Sequence, residues 1–133
     1  MPKKEAEKMA TMFVRDVEAA YPWSYSESKV RPAVLWENLH IIADSLAVCV
    51  IALLTTPLKL WAGAYKAVTG EGISEEELMR TAERIRTFEG LFTLKYGNGK
   101  DDLSPRLFEG EVKLDREKLE EMKRVYYSLR GMG

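Results

Sequence analysis

Asp44 and Cys49 carry the side chains with the clearest chemical potential, and they stand five positions apart in the segment ADSLAVC, residues 43–49. A carboxylate accepts hydrogen bonds, and a cysteine thiolate binds metal ions. In one continuous helix the two side chains would point about 140° apart, so acting on one ligand requires a helix end or a break between them. The alternative is structural, with a buried thiol and an aspartate that caps or pairs locally.

Three other polar residues invite a functional interpretation. His40 precedes Asp44 by four positions, which would place both on one helical face, but a lone histidine in an apolar segment indicates a structural role. Asp101 and Asp102 could act as an acid and a base or bind a cation, yet KDDLSPR is more typical of a turn with solvated charges. We therefore assign no catalytic residue.

Apolar residues at helical spacing predict about five helices and an all-α fold, because no segment alternates at period two long enough to form a strand. A long ordered loop, residues 96–114, precedes the last helix. Thr56 before Pro57, Ser74 with Glu77, and Asp115 are the predicted helix starts. The apolar stripes are Met9, Phe13, Val17 and Tyr21; Leu35, Leu39, Ile42 and Leu46; Trp61, Tyr65 and Val68; Leu78, Ala82, Ile85 and Phe88; and Leu119, Met122, Tyr126 and Leu129.

Composition excludes several classes of function. The 133 residues, 46% of them hydrophobic, suffice for one modest core. A net charge of -1 without a basic block argues against nucleic-acid binding, and the most apolar segment, Leu39–Pro57, contains His40 and Asp44 and is too short for a membrane span. The single cysteine and the charged N-terminal segment MPKKEAEKMATMF predict a cytoplasmic protein.

Four segments occur in an order and spacing that resemble a known family: RPAVLWENLHIIADSLAVC, AYKAVTGEGISEEELMRTAERIRTFEGLF, KDDLSPRLFEG and YYSLRG. Over about residues 30–131 the chain resembles the C-terminal region of the aldehyde ferredoxin oxidoreductases, which are tungsten- or molybdenum-pterin enzymes with a nearby [4Fe–4S] cluster. The most specific elements are the family's Asp-x-x-Gly-Leu-Cys, Ala-Val-Thr-Gly and Tyr-Tyr-x-x-Arg-Gly motifs.

The resemblance implies that Asp44 hydrogen-bonds the pterin and that Cys49 is one ligand of the iron–sulfur cluster. Ala47 stands where the family has glycine, and Val48 stands where it has leucine. The family's three other cluster cysteines lie N-terminal to this region, and the chain contains no second cysteine. Since a [4Fe–4S] cluster needs four ligands, we expect the chain alone to bind no cofactor.

Two parts are predicted: residues 1–29 as an N-terminal helix and connector, and residues 30–133 as the family-like helical domain. The implied function is to contribute cofactor contacts for aldehyde oxidation with electron transfer to ferredoxin, together with an N-terminal catalytic portion or subunit. The alternative is a stand-alone helical interaction module that has lost the cofactors. In isolation we expect the chain to form a homo-dimer, because the apolar face that would lie against the catalytic portion would otherwise be exposed to water.

Overall fold

The computed structural model describes Tyr21 and residues 24–97, 101–111 and 113–132. These residues form five α-helices and no strand, so the all-α prediction is confirmed. Except for Tyr21, the predicted helix over residues 9–21 lies outside the described residues. The helices are α1 (Val30–Ser45), α2 (Val50–Thr55), α3 (Leu58–Thr69), α4 (Glu75–Tyr96) and α5 (Arg116–Leu129), with short 3-10 helices at Glu27–Lys29 and Pro105–Phe108. Within this described part, no helix has both the length and the apolar character needed to cross a membrane.

Capping interactions explain several helix ends. Ser74 and Glu77 form the predicted capping box: Ser74 Oγ accepts the Glu77 N–H at 3.2 Å, and the Glu77 carboxylate accepts the Ser74 N–H at 2.8 Å. The Asp115 carboxylate likewise accepts the Lys118 N–H at 3.2 Å where α5 begins. Gly70 ends α3 with a φ of 79°, a left-handed conformation that glycine adopts without a Cβ clash.

The start of α3 differs from the prediction by one residue. Pro57 is the N-cap, and Thr56 does not cap this helix. The backbone N–H of Thr56 instead donates to the Leu53 carbonyl at 3.4 Å and closes α2. The residue before a proline is restricted to extended conformations, and Thr56 has a φ of -122° and a ψ of 133°.

Contacts divide the chain into two compact units, of which one is Leu35–Thr93. Its buried core draws on helices α1 to α4 and consists of Ile42, Ala43, Leu53, Ala62, Leu78 and Ala82. Val48 and Trp61 are partly buried against this core. The apolar contacts therefore hold α1 and α2 on either side of the connection at residues 46–49. The predicted division at residue 30 remains a prediction.

Two residues that were expected to face the core are largely exposed, and Leu129 of the α5 stripe is 39% exposed. Val68 in α3 is 86% exposed, and Phe88 in α4 is 70% exposed. Both stripes contact the core at their N-terminal ends: Leu78 and Ala82 of α4 belong to the core, and Trp61 of α3 is partly buried against it. Helical periodicity identifies a face, but it does not show how far along the helix that face remains covered.

The second unit comprises the described residues before Leu35 and after Thr93. Its loop before α5 is fastened to that helix, as predicted for an ordered loop. The Arg116 guanidinium lies 3.2 Å from the Asp102 carboxylate, and its carbon lies 3.9 Å from the Phe108 ring centroid. At the other end of α5, buried Arg130 donates a hydrogen bond to the Val34 carbonyl at 3.2 Å.

Candidate functional site

The connection between α1 and α2 separates Asp44 from Cys49. Helix α1 ends at Ser45, and the next helix begins at Val50. The pair therefore does not lie on one continuous helix, and the break that joint action would require is present.

The end of α1 is a Schellman motif, in which two N–H groups beyond the helix bond back to its last turn. The Val48 N–H donates to the Ala43 carbonyl at 2.9 Å, and the Ala47 N–H donates to the Asp44 carbonyl at 3.1 Å. Ala47 adopts a φ of 53° at the position where this motif usually has glycine. The partly buried Val48 then packs against the core and fixes the direction in which the chain leaves.

Cys49 is exposed and occupies the N-cap position of α2. The structural alternative of a buried thiol is therefore wrong. The side chain does not form a capping hydrogen bond of regular geometry, but the backbone N–H groups of Ala52 and Ile51 lower the pKa of the thiol. An exposed thiol with a lowered pKa favours the thiolate, which is the form that binds iron.

Asp44 is exposed in the last turn of α1, where no basic residue accompanies it. The C-terminal end of a helix carries partial negative charge and disfavours a carboxylate. Within the described part of the chain, the carboxylate makes no hydrogen bond and no ion pair. Asp44 therefore stabilises neither this helix end nor a neighbouring side chain there.

His40 does not form a hydrogen bond with Asp44, although the two residues are four positions apart on α1. Its Nδ1 lies 2.8 Å from the carbonyl oxygen of Trp36, and the two rings are 5.6 Å apart between centroids. A histidine that bonds the carbonyl four residues earlier on its own helix satisfies itself locally. This geometry agrees with the structural role predicted for His40.

Asp101 and Asp102 hold the loop onto α5. The Tyr127 hydroxyl donates to the Asp101 carboxylate, and the Lys123 ammonium donates to the Asp101 carbonyl. Arg116 pairs with Asp102 and lowers the pKa of its carboxyl group, with help from the Leu103 N–H. The charges are exposed as predicted, but they are paired within the protein.

Two open cavities lie on the described surface, and neither is lined by Asp44 or Cys49. One, of about 410 Å³, lies in the Leu35–Thr93 unit, and the other, of about 280 Å³, lies in the second unit. The first is lined by Tyr65, Glu71, Gly72, Ile73, Glu77, Arg80, Thr81 and Arg84. The second is lined by Leu94, Asp101, Glu120, Lys123, Arg124, Tyr127 and Met132.

The residues present fit one ligand position of an iron–sulfur cluster and not the whole cluster. Within residues 24–97, 101–111 and 113–132, no group of three or more His, Cys, Asp or Glu side chains could hold a metal ion. The chain has one cysteine, whereas a [4Fe–4S] cluster takes four thiolates.

Comparison with known proteins matches residues 3–133 to a sequence model described as aldehyde ferredoxin oxidoreductase, domains 2 & 3. The chain belongs to the aldehyde ferredoxin oxidoreductase family. The match extends further toward the N-terminus than the motifs that first indicated the resemblance, which begin near residue 30. No solved structure shows significant similarity to the chain.

Curated relatives of this family member are tungsten-containing aldehyde ferredoxin oxidoreductases. The protein from Pyrococcus furiosus is 33% identical over 122 residues, which cover 83% of this chain and 20% of the relative. Those from Thermococcus kodakarensis and Pyrococcus horikoshii are 34% and 30% identical, over 83% of this chain and 20% and 19% of the relatives. The chain therefore spans about a fifth of the length of the curated relatives it matches.

Arg130 is the structurally important residue that the sequence interpretation missed. The Tyr-Tyr-x-x-Arg-Gly motif had singled it out as part of the resemblance without giving it a role. A buried arginine bonded to the Val34 carbonyl ties the end of α5 to the start of α1. The sequence feature that could have drawn attention to Arg130 is the glycine that follows it. Gly131 adopts a φ of 65°.

Proposed function

We propose that this chain supplies part of the cofactor environment of a cytoplasmic aldehyde ferredoxin oxidoreductase-like enzyme. In this proposal Asp44 accepts hydrogen bonds from a tungsten- or molybdenum-pterin, and Cys49 is one thiolate ligand of a [4Fe–4S] cluster. When bound, these groups supply the redox chemistry by which an aldehyde is oxidised and electrons pass to ferredoxin. The chain's own task is to hold an acceptor and a thiolate at the two ends of a helix break.

The observation that carries the proposal is the placement of Asp44. An exposed carboxylate at a helix C-terminus is disfavoured by the helix dipole, and it has no partner there within the described residues that would offset this cost. Residues that break local stability rules concentrate at functional sites. Cys49 adds an exposed thiol whose pKa is lowered by backbone N–H groups.

An N-terminal catalytic portion or subunit completes the enzyme in this proposal. The relatives are about five times as long as the matched segment, and a single cysteine leaves three cluster positions to be filled elsewhere. The isolated chain should therefore purify colourless and free of iron.

The competing function is a helical interaction module that has lost its cofactors. Ala47 favours it, because a residue with a methyl group occupies the left-handed position where the family has glycine. The methyl group would stand close to any cofactor that approaches this backbone.

Metal analysis of a reconstituted complex tests the proposal. The chain is co-expressed with the Pyrococcus furiosus relative from which the matched segment has been deleted, and iron and tungsten are measured in the purified complex. We expect Cys49→Ser to lower the iron content and Asp44→Asn to lower the tungsten content. Glu71→Gln, a change at another exposed carboxylate, should alter neither. Equal metal contents in all four complexes would contradict the proposal.

A further inference from the structure

We propose that the second half of α4 carries the docking surface for the remaining, catalytic part of the enzyme. This surface, called the α4 face, consists of Phe88, Leu91 and Phe92. The inference rests on the proposed function, because it names where the chain meets the portion that completes the site.

Helix α4 changes character along its length. In its first half Leu78 and Ala82 are 6% and 1% exposed and belong to the core. In its second half Phe88, Leu91 and Phe92 are 70%, 53% and 55% exposed. A stripe of one helix that begins in the core thus continues as exposed apolar surface.

The three residues of the α4 face act as one patch. Positions separated by three and four residues are neighbours on a helix surface, and the rings of Phe88 and Phe92 are 6.4 Å apart between centroids. Contiguous exposed apolar patches mark interaction sites, whereas single exposed apolar residues are ordinary. Aromatic side chains, including Phe, are also enriched at protein–protein interfaces relative to the rest of the surface.

The length of the relatives identifies the occupant. About four-fifths of each relative lies outside the part that this chain matches, and the matched family segment is described as domains 2 & 3. A further part of the enzyme is thus available to cover the face. Exposed charges of both signs border the face, Arg84 one turn before Phe88 and Glu89 one turn before Phe92, so the fitting surface is apolar with charged groups at its edge.

Co-purification with a face variant tests the proposal. The tagged chain is co-expressed with the Pyrococcus furiosus relative from which the matched segment has been deleted. The double variant Phe88→Glu, Phe92→Glu is compared with Val68→Glu, which places a single glutamate at an exposed apolar residue of α3. We expect the double variant to retain about tenfold less partner than the wild type or the control, the effect of 1.4 kcal/mol of binding energy. Circular dichroism checks that both variants fold.

If the two co-expressed chains are insoluble, a single-chain fusion is used, in which this chain replaces the matched segment of the relative. There we expect hydrogen exchange of residues 85–93 to be slower than in the isolated chain, and the double substitution to abolish that protection. Partner retention or protection that survives the double substitution would overturn the docking surface and leave the proposed function intact. If the wild-type chain neither retained the partner nor gained protection from hydrogen exchange, the docking surface and the proposed function would both be overturned.

Discussion

The carbonyl oxygen of Asp44 accepts the backbone N–H of Ala47 at 3.1 Å, while Ala47 adopts a φ of 53°. The same turn therefore ends α1, leaves the Asp44 carboxylate exposed and sends the chain toward Cys49. A left-handed conformation costs an L-residue with a Cβ atom roughly 1 kcal/mol or more. The turn is retained at this cost because its two backbone hydrogen bonds and the packing of Val48 fix it.

Ala47→Gly should stabilise the isolated chain by about 0.5–1 kcal/mol. Glycine adopts the left-handed conformation without strain, which stabilises the folded state. It also makes the unfolded chain more flexible, and this entropy offsets part of the stabilisation. Ala67→Gly, at an exposed position inside α3, should instead destabilise by up to about 1 kcal/mol. Denaturant midpoints of the two variants decide this. Destabilisation by both would mean that Ala47 is not strained.

The amino-acid pattern predicted α1, α3, α4 and α5 because caps and periodicity are local, whereas no predicted stripe falls in α2. Ser74 with Glu77 and Asp115 each act through atoms within a few residues, and each is found in the predicted role. The exposed end of α4 could not be predicted from the pattern of Phe88, since periodicity does not show which part of a face lacks a neighbour.

The candidate site was predicted only in part, for a related reason. Sequence spacing showed that Asp44 and Cys49 need a break between them to act on one ligand, but it did not show where the break lies. The exposure of both side chains and the N–H groups that face Cys49 follow from where α1 ends. That end is fixed by tertiary packing of Val48, which spacing alone does not reveal.

Asp44→Asn should stabilise the isolated chain by a few tenths of a kcal/mol up to about 1 kcal/mol, because it removes a negative charge from a helix C-terminus. Glu75→Gln, in the first turn of α4, should have the opposite sign. Both effects should shrink in high salt. Thermal unfolding at low and high ionic strength measures them, and a destabilised Asp44→Asn would indicate a structural role for the carboxylate.

Ser74→Ala should cost about 1 kcal/mol, because it removes the oxygen that accepts the Glu77 N–H. Ser104→Ala is the matched control, since Ser104 is also an N-cap but its side chain makes no capping hydrogen bond. Chemical denaturation of both variants gives the comparison. Similar losses from the two substitutions would show that the capping box does not stabilise α4.

Cys49 should react with a maleimide in the native protein. As the pH is raised, the reaction should become fast at a lower pH in the native chain than in the denatured chain. The thiol is exposed, and the N–H groups of Ala52 and Ile51 lower its pKa. Because the folded pKa lies below the unfolded one, the thiolate stabilises the fold above the unfolded pKa, and this contribution is lost as the pH falls through the folded pKa. Cys49→Ser should lack both the reaction and this alkaline stabilisation. Rate profiles against pH, with and without denaturant, measure the shift, and a native thiol that stays silent until unfolding would remove Cys49 as an accessible cluster ligand.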